Sequence, residues 1–224
     1  MDNAAGPNLL LPLHRCKTIH LVRHAQGIHN VEGDKNFTAL LSPEYADAHL
    51  SRLGWQQVDN LRRDVQNCGL TKRIDLIVMT LQTAVGVFGG EGYTDRMDAV
   101  SLVVTNARKS SRAAISSLNS PPFIALDLCR ERMADVMEPV EDVVARSSKL
   151  IICLLKRKEN EIAIVRHGGF LVHTLRAFGN DSHPLLKEEM CIPFANCELR
   201  SMVIVDRRSA SLIVTPHLKS HLGG

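Results

Sequence analysis

No apolar run in this 224-residue chain is long enough to span a bilayer, and no Cys-x-x-C pair occurs among its six cysteines. The first absence argues against membrane insertion. The second, with no regular cysteine spacing, argues against a structural zinc site or a disulfide framework. The cysteines therefore read as reduced thiols of a cytoplasmic protein. None of them is followed by five residues and then an arginine, the spacing a cysteine phosphatase needs. A Walker-type phosphate loop is missing too. The glycine-rich stretch Gly86 to Gly92 follows a helical pattern rather than a strand, so it reads as a helix-terminating loop. An excess of one charge is also lacking, with 27 Lys and Arg against 24 Asp and Glu. Nothing in that balance calls for a nucleic-acid or membrane surface, and the slight basic surplus suits an anionic small molecule. Met1 to Pro12 holds an Asp and no basic residue, so no targeting leader is expected there.

What the chain does have is two histidines in matching settings. His24 ends the run Ile19-His20-Leu21-Val22-Arg23-His24, and His167 ends Glu161-Ile162-Ala163-Ile164-Val165-Arg166-His167. Each follows a strand-like apolar stretch, is preceded by an arginine, and leads into a helix-like segment. The carboxyl end of a parallel strand is where helix N-termini converge and offer N–H groups and positive dipole ends to an anion. Two imidazoles placed there can act as nucleophile and cationic partner. His20 and His29 are weaker candidates. Strand alternation is expected to turn His20 away from the neighbours of His24, and a packed or solvent-facing role fits both better.

Strand and helix patterns alternate along the rest of the chain. After a Gly/Asn/Asp-rich loop at 27–38, Ser51 can cap a helix with Trp55, Val58, Leu61 and Val65 on one face, closed by Gly69. Ile74 to Met79 reads as a buried strand, and Thr80 to Phe88 as a helix with Leu81, Val85 and Phe88 as its stripe. Ser101 to Thr105 and Phe123 to Leu128 read as further strands. Pro139 can open a helix to about Arg157, with Val140, Val143, Val144, Leu150, Ile151 and Leu154 facing inward. A strand at 161–165 and a helix at 169–178 follow, the latter closed by Gly179. Ser201 to Val205 and Leu212 to Thr215 suggest a terminal antiparallel pair. The expected fold class is α/β, a three-layer α/β/α arrangement around a mostly parallel sheet. One domain over 1–224 is expected, with 1–15 a flexible N-terminal segment.

The wording around the first histidine carries a resemblance. Arg23-His24-Ala25-Gln26-Gly27-Ile28-His29-Asn30 resembles the signature of the histidine phosphatase superfamily. Glu-Gly-Asp at 32–34, Leu-Ser-Arg-Leu-Gly-Trp-Gln-Gln at 50–57 and the stretches at 80–92, 111–119, 131 and 161–206 are similar to plant phosphoglycerate mutase-like proteins. The resemblance implies a phosphoglycerate mutase-like fold and a phosphoryl group carried on His24. It implies His167 and Arg23 as cationic partners, Asn30 as a neutral donor, and Gly168 on the substrate side. Glu131, in Cys129-Arg130-Glu131-Arg132, falls where the family has its general acid; an arginine-paired surface carboxylate is the plainer alternative. No metal and no cofactor are called for. The partner expected is a small phosphorylated substrate, and oligomeric state is not readable.

Departures from the pattern bear on activity. The family's second motif, Ser-Pro followed by an arginine before a Gln-Thr-Ala helix, is not matched. Ile77-Val78-Met79 runs straight into Thr80-Leu81-Gln82-Thr83-Ala84, with no arginine between Arg73 and Arg96. A bidentate phosphate contact would go with it. The segment after Glu131 is short as well, as in a spliced or truncated form. Arg166 could stand in for the missing guanidinium only if it faced the site, and adjacent strand residues face opposite ways. The function expected is that of a phosphomonoester hydrolase acting on a small phosphorylated metabolite of carbohydrate metabolism. The alternative is a catalytically impaired relative that binds phosphorylated ligands or a protein.

Overall fold

The computed structural model describes residues 16–36, 48–78, 81–89, 121–124, 126, 128, 138–178 and 184–205. The calls at 1–15, 101–105, Glu131, Gly179 and 212–215 lie outside them. The described chain runs β1 (Cys16–Arg23), α1 (Ile28–Lys35), α2 (Arg52–Asn67), β2 (Leu76–Val78), α3 (Leu81–Phe88), β3 (Phe123–Ile124), α4 (Val140–Leu155), β4 (Glu161–Arg166), α5 (Gly168–Phe178), α6 (Pro184–Cys191) and β5 (Leu199–Val205). Within these residues the strands form one sheet in the order β3-β2-β4-β1-β5. β1, β2, β3 and β4 are parallel, and β5 runs antiparallel to β1. The mostly parallel α/β architecture expected from the sequence is the one observed.

Both faces of the sheet are covered, which is why its central strands are apolar on both sides. Ile19, Leu21, Ile162 and Ile164 share one core with Val143, Leu150, Ile151 and Leu154 of α4 and with Phe170, Leu171 and Leu175 of α5. Val22, Ala163 and Val165 share the other with Val58, Leu61 and Val65 of α2 and with Ala84, Val85 and Phe88 of α3. The alternation of strand side chains thus assigns each helix pair to its own layer.

The helix of 52–67 forms as its sequence predicts. Ser51 Oγ accepts from Gly54 N–H at 3.0 Å, and Gly69 takes the left-handed conformation (φ 70°) just past the end. Pro139 sits at the N-cap of α4 rather than inside it, and the exposed Val140 at its first position is not part of the inward face. Arg146 and Ser147 are buried on that face instead. Arg146 is held by Glu138 and by the Leu128 carbonyl.

The stretch at 27–38 is no loop throughout, because residues 28–35 form α1. Its composition hides it: α1 buries no residue and carries a glycine in mid-helix, so it has no apolar stripe to reveal it. The strand expected at 123–128 is only two residues long. β5 finds its antiparallel partner in β1, seven residues deep in register from Cys16↔Val205 to Val22↔Leu199.

β1 and β4 lie side by side, with Arg23 opposite Arg166 at their carboxyl ends. From β1 the chain goes on to α2 on one face, and from β4 it goes on to α5 on the other. The carboxyl ends of β1 and β4 therefore mark the topological switch point of the sheet, where open α/β sheets bind ligands.

Candidate active site

His24 is the first residue beyond β1, and its backbone N–H still donates to the Arg166 carbonyl at 2.8 Å. Its ring is buried, 6% exposed. Nδ1 lies 2.7 Å from the Ala25 carbonyl. A carbonyl only accepts, so Nδ1 carries the hydrogen and the lone pair sits on Nε2. Burial, with help from the positive fields of His29, Arg23 and Arg166, lowers the His24 pKa to about 4 although the Ala25 carbonyl opposes it. At neutral pH the ring is uncharged, with a lone pair on Nε2.

His167 follows β4 as the cap of α5, its carbonyl accepting from Leu171 N–H. Its ring centroid stands 4.5 Å from that of His24. Burial, and then the fields of His24, Arg166, His29 and Arg23, hold its pKa well below the ordinary value. α5 starts at Gly168, the residue after His167, and the N–H groups of its first turn have no partner within the helix.

Arg23 reaches past Gly168. A Cβ at that glycine would stand 3.2 Å from both Cδ and Nε of the arginine, a tight approach that the missing side chain relieves. One guanidinium nitrogen donates to the Phe194 carbonyl at 2.6 Å, while Nε is buried with no hydrogen-bond partner. A buried donor of this kind is costly unless an acceptor arrives, and an anion is the natural one. Asn30 sits in the first turn of α1. Its Oδ1 accepts from Gly27 N–H at 2.9 Å, which leaves its NH2 end as a donor. Asn196 donates to the His24 carbonyl at 3.2 Å and lies 3.5 Å from Asn30 Oδ1.

The structure thus brings together His24, His167, Arg23, Asn30 and Gly168, five of the six residues singled out in the sequence. Glu131 lies outside the described residues. Arg166 is buried on the same face as Arg23, with its guanidinium 5.2 Å from the Phe170 ring, and reaches the imidazoles through its field. His20 is buried and paired away from the site, Nδ1 with Ser201 at 2.8 Å and Nε2 with Glu161 at 3.1 Å. The packed role is the correct one for it, though distance along the strand rather than alternation removes it from His24.

His29 is the residue that the sequence undervalued. It belongs to the site, with its ring centroid 5.1 Å from His24 and 6.4 Å from His167. Burial and the field of Arg23 lower its pKa too. The signal for it was its place five residues after His24 in the same motif, which becomes legible only once 28–35 is known to be helical.

A supporting layer was missed altogether. Ala25 N–H donates to Thr83 Oγ1 at 3.0 Å, Gln26 N–H to Gln57 Oε1 at 2.9 Å, and Cys197 N–H to the His24 carbonyl at 3.2 Å. Ser51 holds Gln26 through both its backbone and its hydroxyl. Gly54 lets α2 rest on the same turn, since a Cβ there would come within 2.1 Å of the Gln26 carbonyl oxygen. The motifs at 50–57 and 82–84 thus hold the turn that follows His24.

No family model matches the chain. Phosphoglycerate mutase-like protein 1 of Arabidopsis thaliana is 52% identical to it over 247 residues, covering 92% of this chain and 87% of the relative. The chain belongs to the phosphoglycerate mutase-like family. Solved structures with the same fold include a phosphoglycerate mutase from Bacillus anthracis str. Sterne (TM-score 0.56, 14% identity, 91% of this chain and 93% of that one). A phosphoserine phosphatase from Entamoeba histolytica in complex with 3-phosphoglyceric acid is another (TM-score 0.52, 12% identity, 92% and 99%). At such identities they show the phosphoglycerate mutase-like fold alone. Among the described residues no helix is long and apolar enough to cross a membrane.

Proposed function

We propose that this phosphoglycerate mutase-like protein is a phosphomonoester hydrolase that works through phospho-His24. The observation that carries the reading is the His24 tautomer: Nδ1–H is tied to the Ala25 carbonyl, and Nε2 is left neutral beside His167 and Arg23. In the first step Nε2 forms a bond to phosphorus as the ester P–O bond breaks, and the leaving alkoxide takes up a proton. In the second, water attacks phosphorus, the P–N bond breaks, and phosphate departs. The three equatorial oxygens are met by Arg23, His167, the Asn30 amide and the first N–H groups of α5. Glu131 is the proton donor that the family resemblance implies.

The substrate class that suits this site is a small phosphate ester of the kind found in carbohydrate metabolism. Hydrolysis is favoured over transfer because a mutase must shield its phosphoenzyme from water. The chain has no arginine between Arg73 and Arg96 to help close the pocket. That same gap favours a second reading, a catalytically silent binder of phosphorylated ligands.

The test is turnover on a panel of small phosphate esters, wild type beside His24→Ala, with trapping of acid-labile phosphoenzyme. Turnover and label that both vanish in the variant are expected. Folded wild-type protein that neither turns over nor labels sinks the hydrolase and leaves the binder. Transfer to a second substrate hydroxyl in preference to water would make it a mutase.

A further inference from the structure

Two histidines suffice for the chemistry above, yet the site holds three. His24, His29 and His167 each offer a ring nitrogen, and these nitrogens all lie within 4.8 Å of one another. We propose that the three imidazoles form a binding site for a borderline divalent metal ion, with Zn2+ as the fitting occupant, and that the bound ion shuts off phosphoryl transfer by taking the attacking nitrogen of His24.

Geometry and donor chemistry support this. A tetrahedral zinc with Zn–N bonds of about 2.0–2.1 Å holds its nitrogens about 3.4 Å apart. Closing the triangle from 4.8 Å needs each nitrogen to move inward by less than about 1 Å, within reach of the broad imidazole χ2 torsion. Three neutral imidazoles with an open fourth position match a zinc, nickel or copper site. The set holds no carboxylate, which disfavours magnesium and calcium. The Nδ1–H bond from His24 to the Ala25 carbonyl is the kind of outer contact that fixes a metal-bound imidazole, and it leaves Nε2 as the ligand atom. His167 is fixed by its place at the end of β4, and His29 by the first turn of α1.

Arg23 and Arg166 oppose the ion. Their fields bear on the same rings. They limit the affinity and favour an anion, hydroxide or phosphate, in the fourth position. A phosphate held there does not restore the reaction, because the metal occupies the lone pair that would attack phosphorus. Metal binding itself does not depend on the hydrolase reading; only the inhibition does.

The test uses the full chain freed of metal with a chelator and titrated with Co2+, whose visible bands report a low-coordinate nitrogen site. Wild type is expected to bind one equivalent, which Zn2+ displaces. His29→Gln and His29→Asn are expected to bind at least about tenfold more weakly. Unchanged affinity in both variants overturns the site. So does a pale six-coordinate spectrum, or thiolate charge-transfer bands that point to cysteines instead. Phosphoenzyme labelling then tests the inhibition: Zn2+ removes the wild-type label and a chelator restores it. A wild-type label that survives saturating Zn2+ overturns the inhibition. Absence of label with and without chelator defeats the hydrolase reading, while the Co2+ titration still decides the metal site.

Discussion

β1 and the residue just past its end hold two buried histidines four residues apart, His20 and His24, in opposite surroundings. His20 has both ring nitrogens engaged. Glu161 can only accept, so Nε2 carries the hydrogen and Nδ1 accepts from the Ser201 hydroxyl. His24 has the other tautomer, with Nδ1–H spent on the Ala25 carbonyl and its ring 5.1 and 4.5 Å, centroid to centroid, from those of His29 and His167 and within the field of Arg23. Burial lowers both pKa values. At His20 a carboxylate pulls the other way, whereas at His24 every charged neighbour pushes further down. The residue type is the same in both places. What differs is the sign of the surroundings: His20 has the Glu161 carboxylate against it, while the charged groups acting on His24 are all positive. A region built this way is completed by an anion.

The sharpest way to break that contrast is to remove each ring in turn. His24→Ala is expected to lower kcat/KM by at least on the order of 10^3-fold and to abolish phosphoenzyme, because the nucleophile has no substitute. His20→Gln is expected to leave kcat/KM within a few-fold of wild type and to lower stability instead, read by urea denaturation. If folded His20→Gln protein loses its activity as well, the two regions are coupled and the division fails.

Acid stability separates the two rings next. The His24 pKa falls from 6.5 to about 4 on folding, so between those values the unfolded chain binds a proton that the folded one refuses. The stability due to a neutral His24 is fully present above pH 6.5 and is lost as pH falls towards 4, an effect of about 3 kcal/mol. His29 and His167 act in the same direction. Denaturation at stepped pH should show stability falling across this window in wild type and a flatter profile in His24→Gln. His20→Gln should flatten it less, since Glu161 opposes burial there. Inorganic phosphate should restore part of the loss, as it binds only the folded site.

The supporting layer under His24 offers a third test. In Gly54→Ala the new Cβ meets the Gln26 carbonyl oxygen at 2.1 Å and its carbon at 3.0 Å, both of them backbone atoms with little room to yield. The start of α2 must then lift off the turn, at a cost of about 1–3 kcal/mol. A displacement of about 1 Å in the turn carrying His24 should lower kcat/KM by roughly 10^2-fold. The corresponding shift is not expected to reach the His20 pair, which a crystal structure of the variant would show. Full activity in Gly54→Ala would mean that α2 does not position the nucleophile.

The layering of the fold was legible because it rests on local signals. The apolar runs at 161–165, the α2 face of Val58, Leu61 and Val65, and the Ser51 cap each state their structure within a few residues. The candidates His24 and His167, with the arginine before each, were legible for a related reason, since each pair closes a strand-like run, whereas Asn30 and Gly168 were read from the family resemblance. The rest depended on pairings no local pattern encodes. Thr83 meets Ala25 across 58 positions, and Asn196 meets His24 across 172. α1 was hidden because none of its side chains is buried, and His29 was hidden with it. Gly69 was legible as a helix terminator, but no glycine was legible as a packing contact: Gly54 and Gly168 matter for what lies against them, Gln26 and Arg23.

The smallest expected effect sharpens the comparison from the quiet side. Ser201→Ala removes the hydroxyl that donates to His20 Nδ1, while Glu161 still holds Nε2. The ring is only 3% exposed, so the orphaned acceptor is not recovered by water, and a loss of about 1 kcal/mol is expected in urea denaturation. Ser201 lies directly opposite His20, three residues from the Arg23 end of β1. The kcat/KM of Ser201→Ala should therefore equal that of wild type within roughly twofold, the margin expected when a distant, independent site is changed. A fall in activity with unchanged stability would show that the hydrogen bond from Ser201 acts along β1 on the nucleophile, and the two histidines would then have to be treated as one device.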